Sequence, residues 1–307
     1  MKTKYIELRT RNTFGSIIDN YFTFLKYNFK DYINLYLRYN ALSVIFVLLS
    51  SYLLVTGFMG LASRDFRFGM GSDETETQLY LGFGAILLVL IYFITALINY
   101  SFSSSYITQY VKTQGNQTSK NIWDSIKDNI GNIFLFILLG ILIYIGYFVI
   151  SLVLAFIPVV GTLVQYAISF ILSTMFGIAF MAIFSNELST VEALKEGWDF
   201  SINNFLKVIG YSFVIGFLNM MIMTLILAIP GFLLSIYIYF SAESNIDIVT
   251  SNFASILFTI SFAVFLLTLI FSQALSQLAY GVLFYNLHEE KYNTYLQSKI
   301  DLIGKDE

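Results

Sequence analysis

Six stretches of this chain are apolar enough, and long enough, to cross a membrane: residues 41–62, 79–100, 133–156, 163–184, 205–229 and 253–280. A bilayer hydrocarbon core of about 30 Å takes about 20 residues of helix. The six stretches contain no Asp, Glu, Arg or His, and Lys207, at the inner end of the fifth, counts with the cytoplasmic cations. An ionisable group at the bilayer centre costs about 2.5–3.5 kcal/mol on insertion scales and usually marks a pathway. Its absence here argues against a proton-coupled carrier, a ring-of-charge channel or a voltage sensor. The fold class that follows is an all-α polytopic membrane protein, with six transmembrane helices arranged as three hairpins. Each hairpin is preceded by a cytoplasmic, interfacial amphipathic helix.

Composition agrees. Only 12% of the 307 residues are charged and 57% are hydrophobic, with a mean hydropathy of +0.72. A soluble domain carries roughly 25% charged residues, so this chain has too little charge to coat itself in a solvated surface. A disordered chain, a nucleic-acid binder and a disulfide-stapled domain are excluded, the last because there is no cysteine.

An even number of crossings puts both termini on one side. Of the 17 Lys and Arg, all but Arg64 and Arg67 fall in the N-terminal segment, in the loops after spans two and four, or in the C-terminal tail. Cytoplasmic loops retain positive charge, so the expected location is a bacterial inner (cytoplasmic) membrane with both termini cytoplasmic. No signal peptide is read before the first span. The chain reads as a single membrane domain over 1–307, with a lead-in at 1–40, a six-helix bundle at 41–287 and a tail at 288–307.

Punctuation comes from Pro158 with Gly161, which join spans three and four, and from Pro230 with Gly231, read as ending span five. Residues 232–240 are then too short to cross again, and read as an interfacial or re-entrant piece.

The lead-ins repeat, starting near residues 14, 119 and 190. Trp123 precedes Asn129, and Trp198 precedes Asn204, at the same spacing just before spans three and five; Phe22 stands at that spacing before Asn28. Cap-like residues open each one: Ser16 with Asp19, Ser119, and a Ser189–Glu192 capping box. In the first, Ile17, Tyr21, Phe22, Leu25, Phe29, Tyr32 and Tyr36 recur at helical spacing, opposite Asp19, Lys26, Lys30 and Asn34. The reading is a helix in the inner headgroup layer that turns at an Asn into a hairpin. Its aromatics suit the interface and its cations suit anionic headgroups.

The pattern of lead-in, hairpin and turn, with Ser-Thr-Val-Glu-Ala-Leu-Lys-Glu-Gly-Trp at 189–198, resembles bacterial six-span membrane proteins of unknown function. These are similar to the membrane domain of some glycerophosphoryl diester phosphodiesterases. The opening Phe14-Gly15 and the run Phe24-Leu25-Lys26-Tyr27-Asn28-Phe29-Lys30 resemble the version found in Bacteroidota. The resemblance implies a membrane-anchoring fold, and the 307 residues contain no catalytic phosphodiesterase domain. Some proteins of this look carry a carotene monooxygenase label. An iron-dependent membrane oxygenase needs several histidines to hold its metal, whereas this chain has only His288, beside Glu289 and Glu290 at a solvated helix end. No catalytic constellation, metal site or cofactor is implied, and no nucleic-acid partner.

Mild polarity remains inside the spans. Gln273 and Gln277 lie four apart on span six, hence on one face, and Asn219 lies in span five. They line a cavity for a headgroup or small solute, or they are interhelical hydrogen-bonding glue. The acids Asp73, Glu74 and Glu76 in the external loop 63–78 lack the ligand ladder of a calcium site and read as solvated. Two functions compete. The first is a non-enzymatic scaffold or accessory subunit of a membrane complex, docking a partner through cytoplasmic helices or an amphipathic tail (Tyr292, Leu296, Ile300, Ile303). The alternative is a carrier or flippase-like protein for a lipid or other apolar molecule.

Overall fold

The computed structural model describes residues 5–62 and 74–303. The external loop with Arg64, Arg67 and Asp73 lies outside the described residues, as do Lys2, Lys4 and Lys305. Among the described residues the chain is all α-helical, with α1 (Phe14–Tyr39), α2 (Ala41–Ala62), α3 (Glu74–Lys112), α4 (Ser119–Asp128), α5 (Ile130–Leu154), α6 (Val160–Ser185), α7 (Thr190–Asn203), α8 (Phe205–Glu243), α9 (Asn252–Tyr292) and α10 (Thr294–Ile303). Six of them, α2, α3, α5, α6, α8 and α9, have the length and composition of membrane spans.

Three of these overshoot a bilayer. With 39, 39 and 41 residues, α3, α8 and α9 run about 58–61 Å at 1.5 Å per residue, against a hydrocarbon core of about 30 Å. Hydropathy marks only the part of a helix that sits in lipid. The continuation is stabilised by packing, and that is what corrects the reading of Pro230 as a helix end. Pro230 lies inside α8, which continues to Glu243. A proline removes one N–H and crowds the carbonyl four residues back, at about 3 kcal/mol in a helix interior. The residues beyond it compensate by packing on the start of α9. The Tyr237 hydroxyl donates to Ser251 Oγ at 2.9 Å, its ring lies 5.1 Å from that of Phe253, and Ser241 and Ala254 are fully buried. Residues 232–240 are therefore helix, not a separate re-entrant piece, and Gly231 has open space around it.

The chain folds as two compact units. One comprises Met1–Tyr36, Tyr100–Phe217 and Ala274–Glu307, the other Leu37–Asn99 and Leu218–Gln273. In the first, α6 forms the centre, and every residue from Thr174 to Phe184 is buried. Helix α7 lies on it through Gly197, where a Cβ would meet the Met175 carbonyl oxygen at 2.6 Å and the Ala179 Cβ at 2.8 Å. Helix α1 buries Ile17, Tyr21, Phe24, Tyr32 and Tyr36. The Phe24 ring stands edge-on to Tyr110 at 4.9 Å, Tyr32 stands edge-on to Tyr106 at 5.1 Å, and the Tyr32 hydroxyl is 2.8 Å from Ser103 Oγ. Burying one such aromatic contributes about 1.5–3 kcal/mol. This stripe differs from the expected one, because Phe22 and Phe29 are exposed while Phe24 is inside.

In the second unit α2 and the first half of α3 pack antiparallel at close range. A Cβ at Gly57 would sit 2.7 Å from Leu81, at Gly60 2.5 Å from Thr77 Oγ1, and at Gly84 2.9 Å from Leu54. Ser50 Oγ donates to the Gly84 carbonyl at 3.0 Å. Val47, Ile91, Ala263, Leu266 and Ile270 form this unit's buried cluster.

Candidate functional site

The lead-in helices end in one-residue junctions. Asn129 separates α4 from α5 and Asn204 separates α7 from α8. In each, the Asn carbonyl accepts the first bond of the next helix, from Ile133 N–H and Val208 N–H, both at 2.9 Å. The side-chain amide donates back to the carbonyl four residues earlier, Ser125 at 2.9 Å and Phe200 at 3.1 Å. Asn40 holds this place between α1 and α2, accepting from Val44 N–H at 3.1 Å. Asn28 does not: it is buried in the middle of α1, where its amide donates to the Phe24 carbonyl at 3.0 Å. An amide can bond four residues back within a continuing helix as well as at its end, so residue type and spacing from an aromatic did not separate the two positions. Phe22, Trp123 and Trp198 are alike in leaving about half of their surface exposed. The Ser189 N–H and hydroxyl both donate to Glu192, at 3.1 and 2.7 Å, and these bonds hold that carboxyl below its usual range.

At the other hairpin tips the chain turns tightly. Pro158 lies between α5 and α6 and Gly161 in the first turn of α6; Val159 adopts a φ of +60° and the Val160 N–H donates to the Pro158 carbonyl at 2.6 Å. A Cβ on Gly161 would collide with the Leu154 carbonyl oxygen.

Of the intramembrane polar residues, Gln277 is fully buried. Its amide nitrogen spends both hydrogens, on Ser104 Oγ of α3 at 2.8 Å and on the Gly177 carbonyl of α6 at 3.0 Å. Nearby, the Tyr280 hydroxyl lies 2.9 Å from Ser173 Oγ and 3.1 Å from Ser212 Oγ, and the Tyr211 hydroxyl donates to the Ala279 carbonyl at 2.9 Å. In the second unit Asn99 donates to the Ile270 carbonyl at 2.8 Å, Asn219 reaches the Ser272 carbonyl at 3.5 Å, and Gln273 is half-buried.

In the first unit, residues 5–13 and the end of α9 with α10 form a dense polar arrangement. Residues 5–13 run as an irregular strap before α1. Leu8 is buried, the Ile6 N–H donates to the Tyr110 hydroxyl at 2.6 Å, and the Asn286 amide donates to the Thr10 carbonyl at 2.7 Å. Arg11 donates to the carbonyls of Glu289 and Glu290 at 3.4 and 3.0 Å, placing a cation at the C-terminal end of α9. Arg9 grips Glu7 through two bonds, at 2.9 and 3.0 Å, and its guanidinium lies 4.6 Å from the Tyr295 ring of α10. Burial pushes the Glu7 carboxyl up, but the Arg9 hydrogen bonds and charge outweigh it and hold it below the usual range.

Glu289 corrects the expectation of a solvated helix end. It is buried, and its carboxylate accepts from Tyr295 N–H at 2.9 Å, Leu296 N–H at 3.0 Å and Thr294 Oγ1 at 3.2 Å. It therefore caps α10, whose first N–H groups have no intrahelical partner. Asn293, with a φ of +56°, makes the bend between α9 and α10. His288 lies half-buried between the rings of Phe284 and Tyr292, at 5.6 and 4.8 Å. Lys207 pairs with Glu290 at 2.6 Å. Sequence alone did not reveal Glu289 as a cap; the signal available was an acid five residues before a Thr at a helix start. The outward side of α10 leaves Leu296 and Ile300 more than half exposed, four residues apart. The side chain of Ile303 lies outside the described residues.

Among the described residues no group of three or more His, Cys, Asp or Glu is placed to hold a metal ion. Set against known protein families, curated proteins and solved structures, the chain matches none of them.

Proposed function

We propose that this protein is a non-enzymatic scaffold or accessory subunit of a bacterial inner membrane, with both termini cytoplasmic, that docks a partner protein through α10. The observation that carries the reading is the way α10 is presented. A short surface helix with two adjacent exposed aliphatic residues is ordinarily free to fold back. Here it is held at its start by the buried Glu289 carboxylate and along its side by Arg9, so Leu296 and Ile300 are kept facing outward. Holding an apolar stripe in place lowers the ordering cost that association must overcome. The retention of nearly all Lys and Arg in the N-terminal segment, the loops after spans two and four and the C-terminal tail supports the orientation. The half-exposed Phe22, Trp123 and Trp198, with Lys26 and Lys30 exposed on α1 near Phe22 and Phe29, support lead-in helices seated on anionic headgroups. The resemblance to a phosphodiesterase membrane-anchoring domain fits the same role.

The carrier reading draws less support. A carrier needs a polar face lining an open cavity near the midplane, whereas Gln277 is fully buried and gives both of its N–H groups to Ser104 and Gly177, leaving its amide oxygen, like that of Gln273, without a protein partner among the described residues.

Purification of tagged native protein in mild detergent tests the proposal. Wild type brings down a defined partner, and Leu296→Asp combined with Ile300→Asp loses it while still inserting in the membrane. Recovery of the same proteins with both forms, or of the chain alone, overturns it.

A further inference from the structure

The second unit carries a groove between α2 and the start of α3, with a volume of roughly 600 Å³. Its α3 wall is a single helical stripe that includes Glu76, Tyr80, Phe83, Leu87 and Leu90, and its α2 wall includes Leu53. The lining is apolar except at one end, where Glu76 and Tyr80 lie one helical turn apart. From Glu76 to Leu90 the stripe is about 21 Å long at 1.5 Å per residue. One leaflet, headgroup included, is half of a bilayer of about 40–45 Å, or about 20–22 Å. The groove therefore has the length of one lipid, with the Glu76 carboxylate at its headgroup end and apolar side chains below it. Its walls are fixed by the glycine contacts at Gly57, Gly60 and Gly84, so it does not close by sliding of α2 on α3.

We propose that this groove is a binding site for an aminophospholipid, whose ammonium pairs with Glu76 and whose acyl chain lies along Phe83, Leu87 and Leu90. Glu76 repels an anionic headgroup such as phosphatidylglycerol, so charge selects the lipid, and the stripe is long enough to hold it end to end. Assignment to the outer leaflet rests on the orientation proposed above; the site itself does not.

Delipidated protein, reincorporated into nanodiscs of equal phosphatidylethanolamine and phosphatidylglycerol, is released and its retained lipids are counted by native mass spectrometry. Wild type retains phosphatidylethanolamine over phosphatidylglycerol by about fivefold, the factor that one charge at headgroup depth contributes. Glu76→Gln brings the ratio to unity and Glu76→Lys inverts it. Leu79→Trp, which fills the groove beside Glu76, lowers retention of both lipids. Glu76 is exposed, so these variants fold, and gel filtration confirms it. A wild-type ratio of unity, or a preference that survives Glu76→Gln, overturns the proposal. Since the chain has no native cysteine, Thr75→Cys reports the leaflet through an impermeant maleimide on intact cells. Labelling only after permeabilisation overturns the orientation and moves the site to the inner leaflet, while a lipid ratio of unity with external labelling overturns the site alone.

Discussion

The Gln277 amide and the Gly177 carbonyl meet at 3.0 Å between α9 and α6, in a place where neither has water as an alternative. The glycine permits the approach, since a Cβ there would collide with the Tyr280 ring, itself almost wholly buried. One polar residue and one absent side chain thus set how closely two spans pack.

Gln277→Leu keeps the volume but removes the donor to Ser104 Oγ and the Gly177 carbonyl, so we expect a loss of about 1 kcal/mol, the scale of two hydrogen bonds at about 0.6 kcal/mol each inside a membrane protein. Gly177→Ala forces Tyr280 away from both Ser173 and Ser212, and overpacking of this kind costs about 1–3 kcal/mol. Thermal unfolding in detergent ranks the two variants, with Gly177→Ala melting lower. Equal melting temperatures for both variants and wild type would show that this contact does not hold α6 and α9 together.

Glycines divide by what stands over them. Gly197 faces the Met175 carbonyl oxygen and Gly57 faces Leu81, whereas Gly131 and Gly146 in α5 have open space around the missing Cβ. Gly→Ala at the first pair lowers stability through overpacking, by about 1–3 kcal/mol. At the second pair it is neutral or stabilising by about 0.4–1 kcal/mol, because alanine loses less backbone entropy on folding. The four melting temperatures, taken together, check the division.

The spans were legible because burial in lipid is a local property: a run of apolar residues declares itself whatever it touches. What depends on contact was not legible. Pro230 marks a helix end only if nothing holds the residues beyond it, and Tyr237 against Ser251 and Phe253 supplies that hold from a distant part of the sequence. Asn28 and Asn129 make the same bond to the carbonyl four residues back, yet one sits inside a helix and the other at its end. Glu289 looks, in sequence, like one of two acids at a wet helix end, and only the bend at Asn293 brings the α10 N–H groups to it. Gln273 and Gln277 were identified as polar and on one face, but whether such a face is wet or dry depends on what packs against it.

Capping by Glu289 predicts a local effect. Glu289→Ala removes the acceptor for Thr294, Tyr295 and Leu296, and loss of a helix cap costs about 0.5–2 kcal/mol. Because the lost bonds belong to α10 alone, the membrane helices keep their protection. Hydrogen–deuterium exchange resolves this: faster exchange in peptides covering residues 294–300, with α6 and the inner half of α9 unchanged. A global loss of protection would mean that α10 and the strap hold the whole unit together.

Two carboxyls give opposite responses to pH. Burial pushes Glu196 above the usual carboxylate range, and Asp199 adds to the push, while Lys291 and Asn186 pull it back without cancelling it. A group raised on folding contributes stability that is complete below its unfolded value and is lost as pH rises through its folded value. Charged Glu196 therefore costs stability at neutral pH, and Glu196→Gln melts higher than wild type at pH 8, with the difference vanishing below the ordinary glutamate value of 4.5. Glu7 runs the other way. Its carboxyl is held low because the Arg9 bonds outweigh its burial, so its contribution is present above the unfolded value and disappears as pH falls through the folded one. Glu7→Gln accordingly melts lower than wild type at pH 8 and converges on it in acid. Melting curves of the three proteins between pH 4 and pH 8 check both signs at once. If Glu196→Gln melted lower at pH 8, its neighbours Lys291 and Asn186 would outweigh the burial that sets its direction here.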